Sequence, residues 1–296
     1  MPQPPVPPTT QHHFAAVGDL RLHYAARGTG KPVLLLHGFP ETHRSWDLQH
    51  DALTAAGYQT LAVDLRGYGQ SDKPEEGYDL GSLSADIAEL IRTLGVGALP
   101  VIGHDWGGGV TWELASRHPD LVERAVILDC PHPALMARAL RNNPRQLRRS
   151  WYMFFFQLPR APERWLSRDG GRNLAGMFRD GVPSPEVERI LRAEVADLLA
   201  PGALAGPLAY YRTAFRQDAA ALLTGKLRHD YARIPCPITL LWGADDSCLG
   251  PELIHGTTRF TTCLDVHIVP AAGHFVHQER PDVVNPLLLR ALAAPL

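Results

Sequence analysis

The chain has 296 residues, of which 45% are hydrophobic and 20% are charged, and its formal net charge is −2. This length fits one large α/β domain or a core with an insertion, and the small net charge argues against nucleic acid and anionic membrane surfaces as partners. No apolar run approaches the roughly 20 residues that span a bilayer. The four cysteines lack CxxC spacing, which argues against a zinc site or a disulfide framework and favours reduced thiols in the cytoplasm.

The first half of the chain alternates predicted strands with predicted helices. Residues 1–10 are proline-rich, without the features of a signal peptide, and are expected to form a disordered tail. Short apolar runs predict strands, and apolar residues at helical spacing predict helices. Such alternation indicates right-handed βαβ units and a mostly parallel sheet. The predicted strands are 14–17, 21–26, 32–36, 58–64, 99–102 and 125–129, and the predicted helices are 46–56, 82–94 (capped by Ser82) and 107–118.

Strand signals stop after Pro131 and return after residue 233. Helical periods dominate in between, and we expect helices at 134–141, 145–156, 185–199 and 204–215. Beyond them we expect strands at 238–242 and 265–269, and helices after Pro251 and from Pro281. The pattern predicts an α/β core formed by residues 11–131 and 234–296. Residues 132–233 are expected to form a helical cap over the edge of the sheet where α/β active sites gather.

The most informative stretch is Gly103-His104-Asp105-Trp106-Gly107, which joins a predicted strand to a predicted helix. Glycines on both sides allow a sharp turn that pushes the middle side chain outward, as in a nucleophile elbow. The carboxylate at this turn can attack an electrophilic carbon and form an ester with the enzyme. The alternative is a plain glycine-rich turn in which Asp105 caps the following helix.

Two later strand ends carry groups that would complete a catalytic unit. Asp246 follows the first predicted strand of the second half of the chain, and His274 follows the second. The order nucleophile, acid, histidine matches hydrolases built around an elbow. His274 can act as a base near neutral pH, and a carboxylate on its other ring nitrogen would fix the tautomer. Asp245 and Asp129, which also follow strands, are alternative positions for the acid.

These residues, together with His37-Gly38-Phe39-Pro40 and the segment 64–72, resemble the α/β-hydrolase superfamily across nearly the whole chain. The resemblance implies a mostly parallel central sheet flanked by helices, with an all-helical cap after the strand that follows the nucleophile helix. The aspartate at the elbow is similar to the branch that contains epoxide hydrolases, haloalkane dehalogenases and haloacetate dehalogenases. That branch implies a cis Phe39–Pro40 peptide bond and oxyanion-hole N–H groups at Phe39 and Trp106. The implied substrate pocket includes His37, Pro40, His104, Phe155 and Phe275.

Three features favour an epoxide hydrolase within that branch. Phe39 resembles epoxide hydrolases, whereas many haloalkane dehalogenases carry a halide-binding asparagine there. Trp106 and Gly109 stand where haloacetate dehalogenases carry arginines that would bind a carboxylate substrate. Tyr152 and Tyr211 stand where epoxide hydrolases carry two tyrosines that donate hydrogen bonds to the epoxide oxygen. An alkoxide leaving group needs such a donor, and a phenol with a pKa of about 10 stays protonated at neutral pH. Ordinary packing of aromatic side chains is the alternative for both tyrosines.

We therefore expect an epoxide hydrolase that forms a vicinal diol through an alkyl ester on Asp105, which water activated by His274 and Asp246 then hydrolyses. We expect no cofactor or metal, a small-molecule epoxide as the partner, and either a monomer or a homodimer. A haloalkane or haloacetate dehalogenase with the same triad is the alternative. A ligand-binding protein with idle catalytic residues is a third interpretation, which a single-turnover assay with an epoxide would test.

Overall fold

An eight-stranded sheet forms the centre of the computed structural model, which describes residues 9–177, 184–224 and 232–295, with side chains described outside 218–224. The strand order is β1-β2-β4-β3-β5-β6-β7-β8. β2 runs antiparallel to β1 and β4, and the other neighbouring strands are parallel, which confirms the predicted mostly parallel sheet. The strands are β1 (Gln11–Val17), β2 (Leu20–Arg27), β3 (Lys31–Leu36), β4 (Tyr58–Val63), β5 (Leu99–His104), β6 (Val122–Leu128), β7 (Ile238–Gly243) and β8 (Leu264–Val269).

Helices cover both faces of this sheet. They are α1 (Asp47–Ala55), α2 (Leu80–Leu94), α3 (Trp106–Arg117), α4 (Pro133–Asn142), α5 (Pro144–Arg149), α6 (Trp151–Phe155), α7 (Ala161–Gly176), α8 (Pro185–Leu198), α9 (Ala205–Thr224), α10 (Val276–Glu279) and α11 (Pro281–Ala293). Short 3-10 helices lie at His43–Trp46, Pro251–Ile254 and Thr257–Arg259. No helix in the described ranges is long and apolar enough to cross a bilayer.

The apolar run of β3 explains why the strand lies in the middle of the sheet. Leu34 and Leu36 belong to the core on the side of α2 and α3. Val33 and Leu35 belong to the core on the side of α1 and α11. All four side chains are buried, as expected for a parallel strand that is covered by helices on both faces. Within the sheet, β3 pairs with β5, and Leu36 lies opposite Gly103. This pairing places the ends of the two strands next to each other.

Several predicted boundaries need correction. Asp79, and not Ser82, caps α2, because its Oδ1 accepts a hydrogen bond from the Ser82 backbone N–H at 3.1 Å. The helix expected after Pro251 is only a 3-10 turn. Helix α7 was missed because its periodicity is interrupted by a non-helical kink at residues 168–171. Of the predicted tail, residues 1–8 lie outside the described residues, whereas Thr10 is placed and its hydroxyl accepts a hydrogen bond from Arg27 Nε at 2.6 Å.

A helical insertion, α4 to α9, separates β6 from β7. The helix predicted at 145–156 is two helices that meet at Ser150. The insertion contacts the loops that follow β3 and β4. Glu194 Oε1 of α8 accepts a hydrogen bond from the Thr42 backbone N–H at 3.0 Å, and the Tyr210 hydroxyl of α9 donates to the Arg66 carbonyl at 2.8 Å. These contacts hold α8 and α9 against the edge of the sheet at which the parallel strands end.

Candidate active site

The turn between β5 and α3 holds Asp105 in an unusual backbone conformation, with φ 47° and ψ −117°. A non-glycine residue there is strained, and it persists only where the surrounding structure enforces it. Here the close packing of helix α3 against the ends of strands β3 and β5 holds Asp105 in this conformation. A methyl group on Gly107 would overlap the carbonyl oxygens of Leu36 and His37, and one on Gly103 would overlap Gly107. The elbow predicted from the glycines is therefore present.

Gly107→Ala is expected to destabilise the protein, because β3 and α3 would have to move apart to accept the methyl group. Overpacking of this kind costs about 1–3 kcal/mol. Gly109→Ala is the matched control on the same helix, since the nearest atom to an added methyl is Leu80 Cδ2 at 3.3 Å. That change should be neutral or stabilise the helix by up to about 1 kcal/mol. Urea unfolding of both variants measures the difference, and equal midpoints would contradict the packing argument.

Asp105, His274 and Asp246 lie together although they come from three separate loops. His274 Nε2 is 3.5 Å from Asp105 Oδ2, and His274 Nδ1 is 2.9 Å from Asp246 Oδ2. The other oxygen of Asp246 accepts hydrogen bonds from the backbone N–H groups of residues 248 and 249, both at 2.7 Å. Asp246 is therefore oriented from one side by the backbone and bonded to the imidazole on the other. This is the arrangement that fixes a histidine tautomer.

The two alternative acids do not occupy this position. Asp245 is exposed, whereas the imidazole of His274 is buried and bonded to Asp246. Asp129 is buried, and its Oδ1 accepts a hydrogen bond from the Gly243 backbone N–H at 2.7 Å. Burial, with the nearby Asp246 carboxylate, raises the pKa of Asp129 well above its usual value. A neutral Asp129 can stand beside the charged Asp246 without repulsion.

The charges around His274 favour its protonated form in the free protein. Burial alone would lower the pKa of His274, but the Asp246 carboxylate, Cys248 and hydrogen bonds to Asp105 and Asp246 raise it well above its usual value. When His274 is protonated, its Nε2 can form an ion pair with Asp105 Oδ2, which is 3.5 Å away. If the Asp105 oxygen became part of an ester, its hydrogen bond and charge would no longer stabilise the imidazolium. The imidazole would then lose its proton more readily.

The loop after β3 supplies a hydrogen-bond donor to Asp105. Its Phe39–Pro40 peptide bond is cis, as predicted, and Pro40 is buried. The Phe39 backbone N–H donates to Asp105 Oδ1 at 2.8 Å. Trp106 is the first residue of α3, and the first N–H groups of a helix have no acceptor within the helix. The Phe39 N–H therefore contacts the Asp105 carboxylate, and the role of the Trp106 N–H in an oxyanion hole stays a prediction.

Glu41, which the sequence reasoning missed, connects this loop to the rest of the site. Its Oε2 accepts a hydrogen bond from the Gly38 backbone N–H at 2.9 Å and lies 2.7 Å from His104 Nδ1. Burial alone would raise the pKa of Glu41, but His104 and His277 hold it well below its usual value. His104 Nε2 is 2.8 Å from the His274 carbonyl oxygen. No local pattern marks Glu41 in the sequence, because the polar residues Thr42, His43 and Arg44 follow it in the same loop.

His37 and His104 support the site from behind, whereas the sequence interpretation placed them in the wall of the pocket. Both are fully buried. The two ring nitrogens of His37 contact the Gly38 carbonyl oxygen at 2.8 Å and the Leu65 backbone N–H at 3.1 Å. Both nitrogens of His104 are bonded to protein as well. Neither imidazole therefore offers a free polar atom to a substrate.

The helical insertion brings two phenols to Asp105. Tyr211 is buried between the rings of Phe39 and Trp106, with ring centres 5.2 and 5.1 Å away, and Tyr152 packs edge-on against it at 5.8 Å. Burial raises the pKa of both tyrosines well above the usual value, and the Asp105 carboxylate raises both further. Both hydroxyls therefore stay protonated and can donate a hydrogen bond. The adjacent Tyr210 instead donates to a backbone carbonyl.

The aromatic neighbours of these phenols differ partly from the expected set. Phe155 packs against Trp151 and Trp165, with ring centres 6.2 and 5.5 Å away, and its place in the substrate pocket stays a prediction. Phe156 instead contacts both Phe39 and Tyr211, with ring centres 5.5 and 5.1 Å away. Phe156 follows Tyr152 by four residues, and this spacing, which places two residues on one helix face, was the sequence signal for Phe156. Phe275 lies against the His274 ring, with ring centres 5.2 Å apart, and its place in the substrate pocket stays a prediction.

Two side-chain groups in the described residues have donor atoms close enough to hold a metal ion. One is Glu41, His104 and His277, whose carboxylate and imidazoles support the candidate active site. The other is His23, His43 and Asp64, which are all buried. Only the second group is not already part of the site.

Comparison with known proteins agrees with this fold. The profile of the alpha/beta hydrolase fold matches residues 31–281. Mouse Epoxide hydrolase 4 is 35% identical over 292 residues, which cover 94% of this chain and 78% of that protein. The AB hydrolase superfamily protein YfhM of Bacillus subtilis is 36% identical over 287 residues, covering 94% of this chain and 96% of that one. The crystal structure of a Bacillus megaterium epoxide hydrolase in complex with an inhibitor superposes with a TM-score of 0.83 at 28% identity, covering 95% of this chain and all of that one. The chain therefore belongs to the α/β-hydrolase fold family, within the group that contains the epoxide hydrolases.

Proposed function

We propose that the protein hydrolyses epoxides to vicinal diols through a covalent ester on Asp105. The observation that carries the proposal is the pairing of an aspartate elbow with two phenols of the helical insertion, the half-buried Tyr152 and the buried Tyr211. A carboxylate nucleophile can displace a halide or open an epoxide, so the nucleophile by itself does not distinguish the two reactions. Only the epoxide needs a proton donor for its departing oxygen, because an alkoxide leaves poorly without one. The family relationship to epoxide hydrolases supports the same choice.

In the first half-reaction, Asp105 Oδ2 attacks one epoxide carbon. Its other oxygen, Oδ1, already accepts the hydrogen bond from the Phe39 N–H, which leaves Oδ2 as the attacking atom. A new bond forms between Oδ2 and carbon, and the bond from that carbon to the epoxide oxygen breaks. Tyr152 and Tyr211 donate hydrogen bonds to the departing oxygen, and one phenol gives it a proton. The product is an alkyl ester of Asp105 that carries one hydroxyl group.

In the second half-reaction, His274 takes a proton from water, which attacks the ester carbonyl carbon of Asp105. The negative charge develops on Oδ1, where the N–H groups of Phe39 and Trp106 would stabilise it. The tetrahedral intermediate then collapses and breaks the bond between the Asp105 carbon and the alkyl oxygen. This oxygen leaves as the second hydroxyl of the diol and takes the proton from His274. The remaining proton of the water restores the phenol as Asp105 returns to its carboxylate form. Asp246 keeps His274 in the required tautomer throughout.

The same proposal assigns a role to the helical insertion. Residues 132–233 act as a cap on a core formed by residues 11–131 and 234–296, because both proton donors come from the insertion and the Asp105 carboxylate influences the pKa of both. The chain itself supplies nucleophile, base and acids, so the reaction requires no cofactor and only a small-molecule epoxide as partner. The four free cysteines support a reducing compartment, and we place the protein in the cytoplasm.

A substrate panel under single-turnover conditions tests the proposal. Terminal, styrenyl and fatty epoxides are compared with haloalkanes and fluoroacetate, with Asp105→Ala as the control for uncatalysed reaction. We expect diol from at least one epoxide, formed faster than halide is released from any halogenated compound. Faster halide release would make the protein a dehalogenase. Failure of the folded protein to open any epoxide or release any halide would favour a ligand-binding protein.

A further inference from the structure

A cluster of three imidazoles and one carboxylate lies where the β1–β2 edge of the sheet meets the loops after β3 and β4. His12 is on β1, His23 is on β2, His43 begins the 3-10 helix after the Phe39 loop, and Asp64 follows β4. His23, His43 and Asp64 are buried, whereas His12 is exposed on the edge strand. The proposed reaction uses none of these four side chains.

Asp64 determines which ring nitrogens are available. Its Oδ2 is 2.8 Å from His23 Nδ1, and its Oδ1 is 2.9 Å from His43 Nδ1. The backbone N–H groups of His43 and Gln70 also donate to the carboxylate, both at 2.9 Å. A carboxylate that receives these backbone donors acts as an acceptor, so each Nδ1 carries the hydrogen. In the neutral rings the Nε2 atoms of His23 and His43 then carry lone pairs, as in metal sites where a carboxylate orients the ligating histidines.

The spacing of the rings fits one tetrahedral metal ion. His12 Nδ1 is 2.9 Å from His23 Nε2, so one proton is shared between two nitrogens that could both bind a metal. The ring centres of the three histidines are 5.0, 5.1 and 5.6 Å apart. With Zn–N bonds of about 2.0–2.1 Å and tetrahedral angles, ligand nitrogens lie about 3.3–3.4 Å apart and ring centres roughly 5 Å apart. To bind one ion, these two nitrogens would separate by a few tenths of an ångström, and the exposed His12 ring would turn so that both lone pairs point at the metal.

We propose that His12, His23 and His43 bind one Zn²⁺ ion, with Asp64 orienting His23 and His43 from behind. Three imidazole nitrogens are a donor set that suits Zn²⁺ better than Mg²⁺ or Ca²⁺, which prefer oxygen ligands, and water can take the fourth position of the ion. The exposed position of His12 gives the ion a route from solvent. The ion would tie the edge hairpin to the loop that carries Phe39, and its role would be structural.

Zinc titration of the tag-free, full-length protein tests the site, with ZnCl₂ as the probe. Calorimetry and metal analysis after gel filtration should give one ion per chain, and zinc should raise the melting temperature because it binds the folded state only. His12→Gln should weaken binding by at least the roughly 10- to 100-fold that loss of an outer partner costs. His13→Gln is the matched control, since the neighbouring His13 stacks on Tyr24 at 5.2 Å on the opposite face of β1. It should bind zinc as wild type does.

Two results would overturn the assignment. One is the absence of stoichiometric zinc binding by the wild-type protein. The other is an affinity and a melting shift in His12→Gln equal to those of wild type, which would place any bound zinc at another site. His43→Gln should lose binding too, but it removes a buried partner of Asp64 and can affect folding. His12→Gln therefore decides the question, because its side chain is exposed and its loss leaves the Asp64 hydrogen bonds intact.

Discussion

His274→Gln is expected to stop the reaction after its first half and to leave the substrate bound to Asp105 as an ester. The nucleophile does not need the imidazole to attack, but hydrolysis of the ester needs a base to activate water. Loss of a general base costs about 10²- to 10⁴-fold, so the ester should accumulate. Intact mass spectrometry should show the added mass of one substrate, and peptide analysis should locate it on Asp105. The absence of this adduct, with an epoxide that wild type hydrolyses, would contradict covalent catalysis.

Asp246→Asn is the companion variant, because it keeps the imidazole but removes the carboxylate that orients it. A hydrogen bond to a charged group contributes about 1.5–3 kcal/mol, so ester hydrolysis should slow by roughly 10- to 100-fold. The Asp246 carboxylate also raises the pKa of His274. Its removal should therefore lower that pKa and shift the rise of the hydrolysis rate with pH to lower pH. An unchanged pH profile would mean that Asp246 is not the partner of the base.

Replacing both Tyr152 and Tyr211 by Phe should slow alkylation of Asp105 strongly and leave hydrolysis of the ester nearly unchanged. Each hydroxyl resembles an oxyanion-hole donor, whose loss costs about 2.7–4 kcal/mol, or roughly 10²- to 10³-fold. Each single variant should show a loss of this size, and the double variant a larger one. Rapid-quench single turnovers separate the two steps, because they measure ester formation and ester decay independently.

Tyr210→Phe is the matched control for the two phenols. Tyr210 is adjacent to Tyr211, but its hydroxyl donates to the Arg66 carbonyl and not toward Asp105. Its removal should cost about 1 kcal/mol of stability and leave the alkylation rate unchanged. A double phenylalanine variant that opens epoxides at the wild-type rate would overturn the assignment of Tyr152 and Tyr211. A reaction that releases halide would tolerate the double change far better, because a halide leaves without a proton.

The sequence by itself determined the mostly parallel sheet, the elbow at Asp105 and the order of the catalytic groups. These features follow from local rules that act over a few residues. Apolar runs such as that of β3 can only be buried on both faces, and Gly103 and Gly107 allow strand and helix to approach closely. Family resemblance added the cis Phe39–Pro40 bond and the choice of Tyr211. Both kinds of information are already present in short stretches of the chain.

The tertiary structure alone decided which side chains meet. Asp246 was preferred to Asp245 and Asp129 from sequence, but only the distance to His274 Nδ1 distinguishes them. The Glu41 network and the contact of Phe156 with Tyr211 join segments more than 50 residues apart in the chain. The histidine cluster around Asp64 joins β1, β2 and two loops that share no local pattern. Such contacts depend on how the sheet and the helices pack. Sequence periodicity indicates which face of a helix or strand is buried, but it does not indicate which other element covers that face.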